Sequence, residues 1–161
     1  MAVPHPAIRS GFPTGFRHAF VRSTRTEEEN VSRIVGGCLC GACRYNSDST
    51  PINARVCHCV RCQKATGAAF YARIMVPLDS VHIEGPVGWF DANTGIRRGF
   101  CTRCGTSLFS ERQSANAIGL SIGSLDDPAL FEPTEHIWTS RKQPWLSLDD
   151  HRSHFPEGPP A

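Results

Sequence analysis

The chain has 161 residues, of which 40% are hydrophobic and 20% are charged, and its formal net charge is +2. This length leaves room for one domain with a hydrophobic core, so the eight cysteines are not needed merely to stabilise a very small fold. Residues 1–33 carry five arginines and three glutamates, whereas residues 34–161 carry twelve basic and twelve acidic side chains. A neutral body lacks the basic surface of a nucleic-acid-binding protein, so we predict no nucleic-acid partner.

The sequence contains no segment that predicts contact with a membrane or export. No apolar run reaches the roughly 18 residues of a membrane span, and the first twenty residues lack the apolar block of a secretory signal. We therefore expect a cytoplasmic protein with no membrane partner. In that reducing compartment, cysteines are expected to be metal ligands or catalytic groups rather than disulfides.

Three regions follow one another along the chain. Residues 1–33 are rich in Pro, Gly, Ser, Thr and Arg without a periodic apolar pattern, and they predict a flexible N-terminal extension. Residues 34–156 predict a folded domain. Residues 157–161, Glu-Gly-Pro-Pro-Ala, predict a loose C-terminal tail.

Short strands dominate the predicted domain. Residues 70–76 form a mostly apolar run halted by Pro77, and apolar residues alternate with others at 81–83, 118–122 and 136–138. Residues 91–95 predict the turn of a hairpin whose second arm leads to Cys101. Helical signals are short, at residues 63–69 and in a turn near residues 126–129. The predicted fold class is mainly β, with metal-bearing loops.

The cysteines fall into three groups. Two groups share a spacing of one and then two residues between cysteines, and the third is a pair: Cys38, Cys40 and Cys43; Cys57, Cys59 and Cys62; Cys101 and Cys104. Thiolates suit Zn²⁺, and a closed structural site takes four of them, with an iron–sulfur cluster as the inorganic alternative. Groups of three, three and two cannot fill two four-ligand sites unless one group is divided.

The number of cysteines in each group favours one site with four cysteine ligands and one site with three. The pair Cys101 and Cys104 most simply joins two sulfurs of one triplet to close a structural site, which leaves the other triplet with an open fourth position. Three ligands and one exchangeable position are typical of catalytic zinc. The spacing does not decide which triplet is divided, and the remaining cysteine is also able to complete a second closed site.

Longer motifs around the cysteines resemble one known family. The segments that carry the resemblance are, in order, GGCLCGACRY at residues 36–45, CHCVRCQKATG at 57–67, RGFCTRCGTSL at 98–108, GSLDDP at 123–128, HIW at 136–138 and PW at 144–145. Together they resemble the glutathione-dependent formaldehyde-activating enzyme (Gfa) family, which includes the centromere protein V domain. The resemblance spans about residues 34–156.

The resemblance implies an Mss4-like fold of several small antiparallel sheets that carry two zinc ions per chain. The structural ligands that it implies are Cys38, Cys40, Cys101 and Cys104. The ligands that it implies for a catalytic ion are Cys57, Cys59 and Cys62. Cys43 falls where family members often have a small apolar residue, so we interpret it as a packing residue or a spare thiol.

The implied function is that of a zinc-dependent carbon–sulfur lyase or thiol–aldehyde adduct-forming enzyme, similar to S-(hydroxymethyl)glutathione synthase. Zinc at the triplet favours the thiolate of a small thiol such as glutathione, which adds to an aldehyde. Three thiolates leave the centre near about −1, which favours thiol handling over hydrolysis. The alternative is a non-catalytic zinc-ribbon-like protein-interaction module. The sequence does not indicate an oligomeric state.

Residues that flank the motifs are weaker candidates. Arg61 and Lys64 are placed to meet the carboxylates of a glutathione-like ligand, with solvated surface charge as the alternative. His58 is predicted by strand alternation to point away from the metal, and we expect it to face solvent. Aromatic residues on strands are more often core residues than ligand contacts. With that reservation, the candidate cleft residues are His136, Trp138 and Trp145.

Overall fold

The structure is a computed structural model that describes residues 33–91 and 94–159. Apart from Arg33, the predicted N-terminal extension lies outside the described residues, as do residues 160 and 161 of the predicted tail. Within the described part of the chain, no helix is long and apolar enough to cross a membrane.

The described residues form eleven strands and one α-helix, which confirms the mainly β fold class. The strands are β1 Ile34–Gly37, β2 Arg44–Ser47, β3 Asn53–Cys57, β4 Tyr71–Pro77, β5 Val81–Glu84, β6 Val87–Asp91, β7 Arg97–Cys101, β8 Ser107–Arg112, β9 Ala117–Ser121, β10 Glu135–Ile137 and β11 Ser153–Phe155. The α-helix, α1, is Val60–Thr66. Short 3₁₀ turns are found at Leu78–Ser80, Gln113–Ala115, Ile122–Ser124, Pro128–Leu130 and Thr139–Arg141.

Two sheets are present in the described residues. The smaller sheet is antiparallel, with the order β1-β2-β5. The larger sheet has the order β11-β10-β3-β4-β9-β8-β7-β6. Its strands pair antiparallel except at β10, which runs parallel to both β3 and β11. The chain therefore adds a large, partly parallel sheet to the small antiparallel sheets that the resemblance implies.

Strand alternation gives the large sheet one face towards the core and an opposite face that carries several arginines. On β4 and β9 the apolar positions face the core and are fully buried, at Ile74, Val76, Ile118 and Leu120. Burial of each such side chain stabilises the fold by about 1.5–3 kcal/mol. The intervening residues Arg73 and Gly119 point to the opposite face. That face forms the floor of the cavity described below.

The helix begins and ends earlier than its sequence signal at residues 63–69. Cys59 is the N-cap residue, and its Sγ accepts a hydrogen bond from the Cys62 N–H at 3.4 Å. Gly67 ends the helix with φ 65°, and its N–H donates to the Gln63 carbonyl at 2.8 Å. Glycine adopts this left-handed conformation with little strain. The resulting two turns return Cys62 towards the end of β3.

The predicted hairpin near residues 88–100 is confirmed. β6 and β7 pair antiparallel, from Val87 opposite Cys101 to Asp91 opposite Arg97. Residues 92 and 93 of the predicted turn lie outside the described residues. A register irregularity between Gly99 and Phe100 precedes the first cysteine of the Cys101–Cys104 turn.

Candidate metal centres

Four of the candidate ligands meet where two strand-connecting turns approach each other. Cys38 and Cys40 follow β1, whereas Cys101 ends β7 and Cys104 lies in the β7–β8 turn. Their Sγ atoms all lie within 4.8 Å of one another. The Cys38–Cys40 and Cys40–Cys101 sulfur distances are 3.5 and 3.9 Å. A tetrahedron of sulfurs at about 2.3 Å from zinc has edges of about 3.8 Å, so this four-sulfur group fits a zinc ion.

The backbone of both turns is shaped to present these sulfurs. The Cys43 N–H donates to Cys38 Sγ at 3.2 Å, and the Gly41 N–H donates to the Cys38 carbonyl at 3.0 Å. Gly105 has φ 75°, and its N–H donates to the Cys101 carbonyl at 2.8 Å. Gly105 thus closes a tight turn after Cys104, and its left-handed backbone favours glycine.

Cys43 is fully buried and does not belong to the four-sulfur group. Burial, reinforced by the nearby sulfurs of Cys101 and Cys38, raises the pKa of its thiol to about 12. A neutral thiol in this position acts as a small apolar residue of the core. This placement agrees with the interpretation of Cys43 as a packing residue.

The second triplet forms a separate three-sulfur group. Cys57 ends β3, Cys59 caps α1, and Cys62 lies within the helix. Their Sγ atoms lie within 4.8 Å of one another, and no fourth Cys, His, Asp or Glu joins them among the described residues. The structure thus groups the seven cysteines as the resemblance implied.

Within the three-sulfur group, the thiolate of Cys59 is favoured and that of Cys57 is disfavoured. Hydrogen bonds from the thiols of Cys57 and Cys62 lower the pKa of Cys59, and the same contact with Cys59 raises the pKa of Cys57. Arg98 Nη2 donates to Cys62 Sγ at 3.4 Å, and its guanidinium lies 5.3 Å from the centre of the Tyr71 ring. Closely packed sulfurs of this kind fit a zinc ion with three protein ligands.

His58 points away from the sulfurs, as strand alternation predicts, but the expectation that it faces solvent is wrong. Its side chain is fully buried, because the rings of His136 on β10 and of Phe70 pack against it. His58 Nε2 lies 2.8 Å from His136 Nδ1, and His136 Nε2 lies 2.8 Å from Asp150 Oδ2. Burial lowers the pKa of His58 to about 4, so its ring is neutral at pH 7. The network anchors the backbone between Cys57 and Cys59.

A further group brings ligand atoms of His136, Asp150 and His154 within 4.8 Å of one another. Arg152 Nη1 donates to Asp150 Oδ2 at 2.6 Å, the same oxygen that His136 contacts. A guanidinium on that oxygen opposes cation binding. We interpret this group as a hydrogen-bond network that fixes β10 and β11.

The three-sulfur group opens onto a cavity of about 520 Å³. All three of its cysteines line this cavity, and none of the cysteines of the four-sulfur group does. Part of the wall is formed by Gly158 and Pro159, which belong to the predicted loose tail. The preceding residue, Glu157, accepts a hydrogen bond from the Trp138 N–H at 2.9 Å.

The flanking candidates divide between this cavity and other positions. Arg61 lines the cavity and donates to Thr94 Oγ1. Lys64 lines a neighbouring cavity of about 440 Å³. Trp138 lines the first cavity, whereas Trp145 is 72% exposed and lines neither.

Sequence reasoning missed the basic residues of the cavity floor. They are supplied by β3, β4, β7 and β8, as Arg55, Arg73, Arg98 and Arg112. Arg55 precedes Cys57 by two residues, so alternation along β3 places both on one face. The positions of the others depend on strand pairing, which brings Arg73 opposite Arg55.

Residues 33–141 match the family model described as glutathione-dependent formaldehyde-activating enzyme. The chain belongs to this family. Membership in the Gfa family implies a glutathione-dependent, aldehyde-related function, and both sulfur groups are able to hold the zinc that Gfa proteins bind.

Comparison with curated proteins finds no match. Among solved structures, a protein of Rhodobacter sphaeroides is similar to this Gfa-family chain, with 22% identity and a TM-score of 0.49. The match covers 62% of this chain and 96% of that chain.

Proposed function

We propose that this protein is a zinc-dependent carbon–sulfur lyase that makes and breaks the adduct of a small thiol, such as glutathione, with an aldehyde. The observation that carries the proposal is that the three-sulfur group lines the cavity whereas the four-sulfur group does not. One zinc ion is proposed for each group. The structural ligands are Cys38, Cys40, Cys101 and Cys104, and the ligands of the reaction centre are Cys57, Cys59 and Cys62.

Zinc bound at the three-sulfur group favours the deprotonated form of an incoming thiol and is a weakened Lewis acid towards water, since three thiolates already offset its charge. In the reaction, the thiol sulfur bonds to the aldehyde carbon, the C=O double bond becomes a single bond, and the thiol proton ends on the new hydroxyl. The reverse reaction breaks the same carbon–sulfur bond. The balance requires no oxidant or reductant.

The chain's own residues supply charge and exclude water at this centre. Arg98 offsets the negative charge of the sulfurs through its contact with Cys62. Tyr71 and Ile137 are buried and pack against Cys57 and Cys62. An apolar wall beside the sulfurs limits the access of water, which strengthens electrostatic interactions in the site.

The test combines turnover with metal analysis. Zinc-loaded protein should consume free thiol from a mixture of glutathione and formaldehyde faster than the spontaneous reaction. Cys62→Ser should lose this acceleration together with one of two zinc ions. Cys43→Ala, which removes a thiol outside both groups, should keep both ions and the acceleration. A wild type that holds two zinc ions without accelerating the reaction would instead favour the protein-interaction module.

A further inference from the structure

The floor of the 520 Å³ cavity carries positive charge from four strands of the large sheet. The residues that supply it are Arg55, Arg73, Arg98 and Arg112. No Asp or Glu lines this cavity among the residues that the structure describes. The cavity therefore presents several guanidinium groups to whatever enters it.

Two of these arginines already have an anionic or thiol partner. Arg55 forms an ion pair with Glu135, and Arg98 contacts Cys62 Sγ. Their charges are therefore partly satisfied by the protein itself. A ligand anion would therefore gain less binding free energy from Arg55 and Arg98 than from arginines without such partners.

Arg73 and Arg112 differ from this pair. Arg73 is 4% exposed, and its Nη1 donates to the neutral Asn53 amide oxygen at 2.8 Å. Arg112 Nε is buried and has no hydrogen-bond partner among the described residues. Burial lowers the pKa of Arg73 to about 10, so it remains charged at neutral pH. A buried charge without a counter-ion is destabilising unless an anion satisfies it.

The sheet is also built to make room for Arg73. Gly119 lies between the two arginine-bearing strands, opposite Ser110 on β8 and Met75 on β4. A Cβ atom at Gly119 would lie 2.8 Å from Arg73 Cδ and against Ser110 Oγ. The absence of a side chain at this position leaves the Arg73 side chain space to lie along the floor.

We propose that Arg73 and Arg112 form an anion subsite that binds a carboxylate or phosphate group of the substrate, so that this enzyme selects acidic thiols. The proposal rests on the proposed function, because the subsite shares its cavity with the three-sulfur group. A guanidinium pairs well with either oxyanion through two parallel N–H···O bonds. The sulfur of such a thiol then faces Cys57, Cys59 and Cys62, while its acidic group is held on the sheet.

A pair of thiols that differ in one acidic group tests the proposal. We expect zinc-loaded protein to bind 3-mercaptopropionate about tenfold or more tighter than 3-mercapto-1-propanol in isothermal titration calorimetry. Arg112→Gln should reduce this preference to about twofold or less and leave the affinity for the neutral thiol unchanged. Arg33→Gln removes the same charge from an exposed ion pair with Asp48 and should keep the full preference.

Equal affinity of the wild type for the two thiols, or an acid preference that survives in Arg112→Gln, would overturn the proposal. If Arg112→Gln does not fold, competition in the wild type decides: inorganic phosphate should displace 3-mercaptopropionate but not 3-mercapto-1-propanol. Stronger competition by phosphate than by succinate identifies a phosphate substrate, and the reverse order identifies a carboxylate.

Failure of the proposed function gives a different result. If the three-sulfur group does not handle thiols, 3-mercapto-1-propanol should not bind and 3-mercaptopropionate should bind no tighter than propionate, yet inorganic phosphate should still bind to the wild type and not to Arg112→Gln. Absence of phosphate binding as well would overturn the anion subsite itself.

Discussion

Single side chains set the charge of the three-sulfur group. Arg98 places a permanent positive charge beside the sulfurs, since its Nη2 donates to Cys62 Sγ at 3.4 Å. Cysteines must be deprotonated to bind a metal, so a neighbouring cation assists zinc binding when the ion arrives. Arg98 is thus a positioning residue for the sulfurs.

Replacement of Arg98 should weaken zinc binding at one group only. We expect Arg98→Gln to lower the zinc affinity of the three-sulfur group by about tenfold, as outer-shell substitutions commonly do. Competition with a chromogenic chelator measures this change, and the four-sulfur group in the same molecule is the internal control. Unchanged affinity, or an equal loss at both groups, would count against this role.

Replacement of His136 should destabilise the fold through His58. In His136→Phe the buried His58 ring loses its Nε2 partner, and its Nδ1 has none among the described residues. We expect the free energy of unfolding to fall by about 1–3 kcal/mol in urea denaturation of the zinc-loaded protein.

His82 provides the matched control for this change. Its ring is 66% exposed and contacts Glu84 on the surface. His82→Phe should alter the free energy of unfolding by no more than about 0.5 kcal/mol. Similar losses for the two variants would show that the histidine network contributes nothing specific.

The sequence predicted sulfur positions better than the positions of charged residues. Cysteines with one or two residues between them meet within a strand or turn, so spacing predicted the local pairs, whereas the family resemblance implied which triplet is divided and joined to Cys101 and Cys104. Arg55 and Arg73 are 18 positions apart and meet only through the register of β3 and β4. Alternation correctly predicted the direction of the His58 side chain but not its burial, because its packing partner His136 lies 78 positions away in the sequence.

At the scale of elements, the turn between β5 and β6 supports the loop that carries Cys38 and Cys40. Gly85 in this turn has φ 94°, and a Cβ atom there would lie against the Ala42 carbonyl oxygen and 3.0 Å from Cys43 Cα. The close approach requires glycine for both its backbone conformation and its lack of a side chain.

Two glycine substitutions separate these requirements. Gly67 also has a left-handed backbone, with φ 65°, but a Cβ atom there meets nothing within 4 Å. We expect Gly67→Ala to cost about 1 kcal/mol through backbone strain alone. Gly85→Ala should cost about 3 kcal/mol, because overpacking adds to the strain. Chemical denaturation of both zinc-loaded variants measures the difference, and equal losses would exclude the proposed contact.

The segment before β11 should contribute stability that depends on pH. A hydrogen bond with His136, supported by Arg152 and His154, holds the pKa of Asp150 well below its usual range. Because the pKa is lower in the folded state, the stabilisation is complete above about pH 4 and is lost as the pH falls further.

Asp150→Asn tests this dependence. Its melting temperature in circular dichroism should lie below that of the wild type at pH 7, and the difference should shrink as the pH falls below about 4. Acid-induced loss of metal affects both proteins, so the difference between them reports on Asp150. A difference that grows on acidification would contradict the assignment.

Local patterns predicted elements but not their partners. The alternating segments at residues 81–83 and 118–122 lie in β5 and β9, and the run at 70–76 lies in β4. The parallel pairing of β10 with β3 joins residues about 80 positions apart and leaves no local signal. The helix begins before its predicted start because the sulfur of Cys59 serves as the N-cap acceptor. Cysteine is not among the usual N-cap residues, so the sequence contains no cap signal at this position.

At the scale of the whole molecule, the two sulfur groups link different parts of the fold. The four-sulfur group joins the turn between β1 and β2 of the small sheet to the turn between β7 and β8 of the large sheet. The three-sulfur group joins β3 to α1, which directly follows it in the chain. Loss of the first group therefore removes one link between the two sheets, whereas loss of the second loosens one local connection.

A matched pair of serine variants should reveal this difference. Cys40 and Cys59 are the most exposed members of their groups, and serine at position 59 is also able to cap α1. We expect the melting temperature of Cys40→Ser to lie more than about 5 °C below that of Cys59→Ser. Differential scanning calorimetry with metal analysis checks this order, and equal melting temperatures would indicate two equivalent structural sites.

The lack of a side chain at Gly119 has an evolutionary consequence. A homologue with a methyl group or anything larger at the corresponding position has no room for a long side chain where this chain has Arg73. The two positions should therefore covary across the Gfa family, with glycine accompanying arginine and bulkier residues accompanying shorter ones. The residues aligned with Arg73 and Gly119 would then distinguish family members that accept acidic thiols from members that do not.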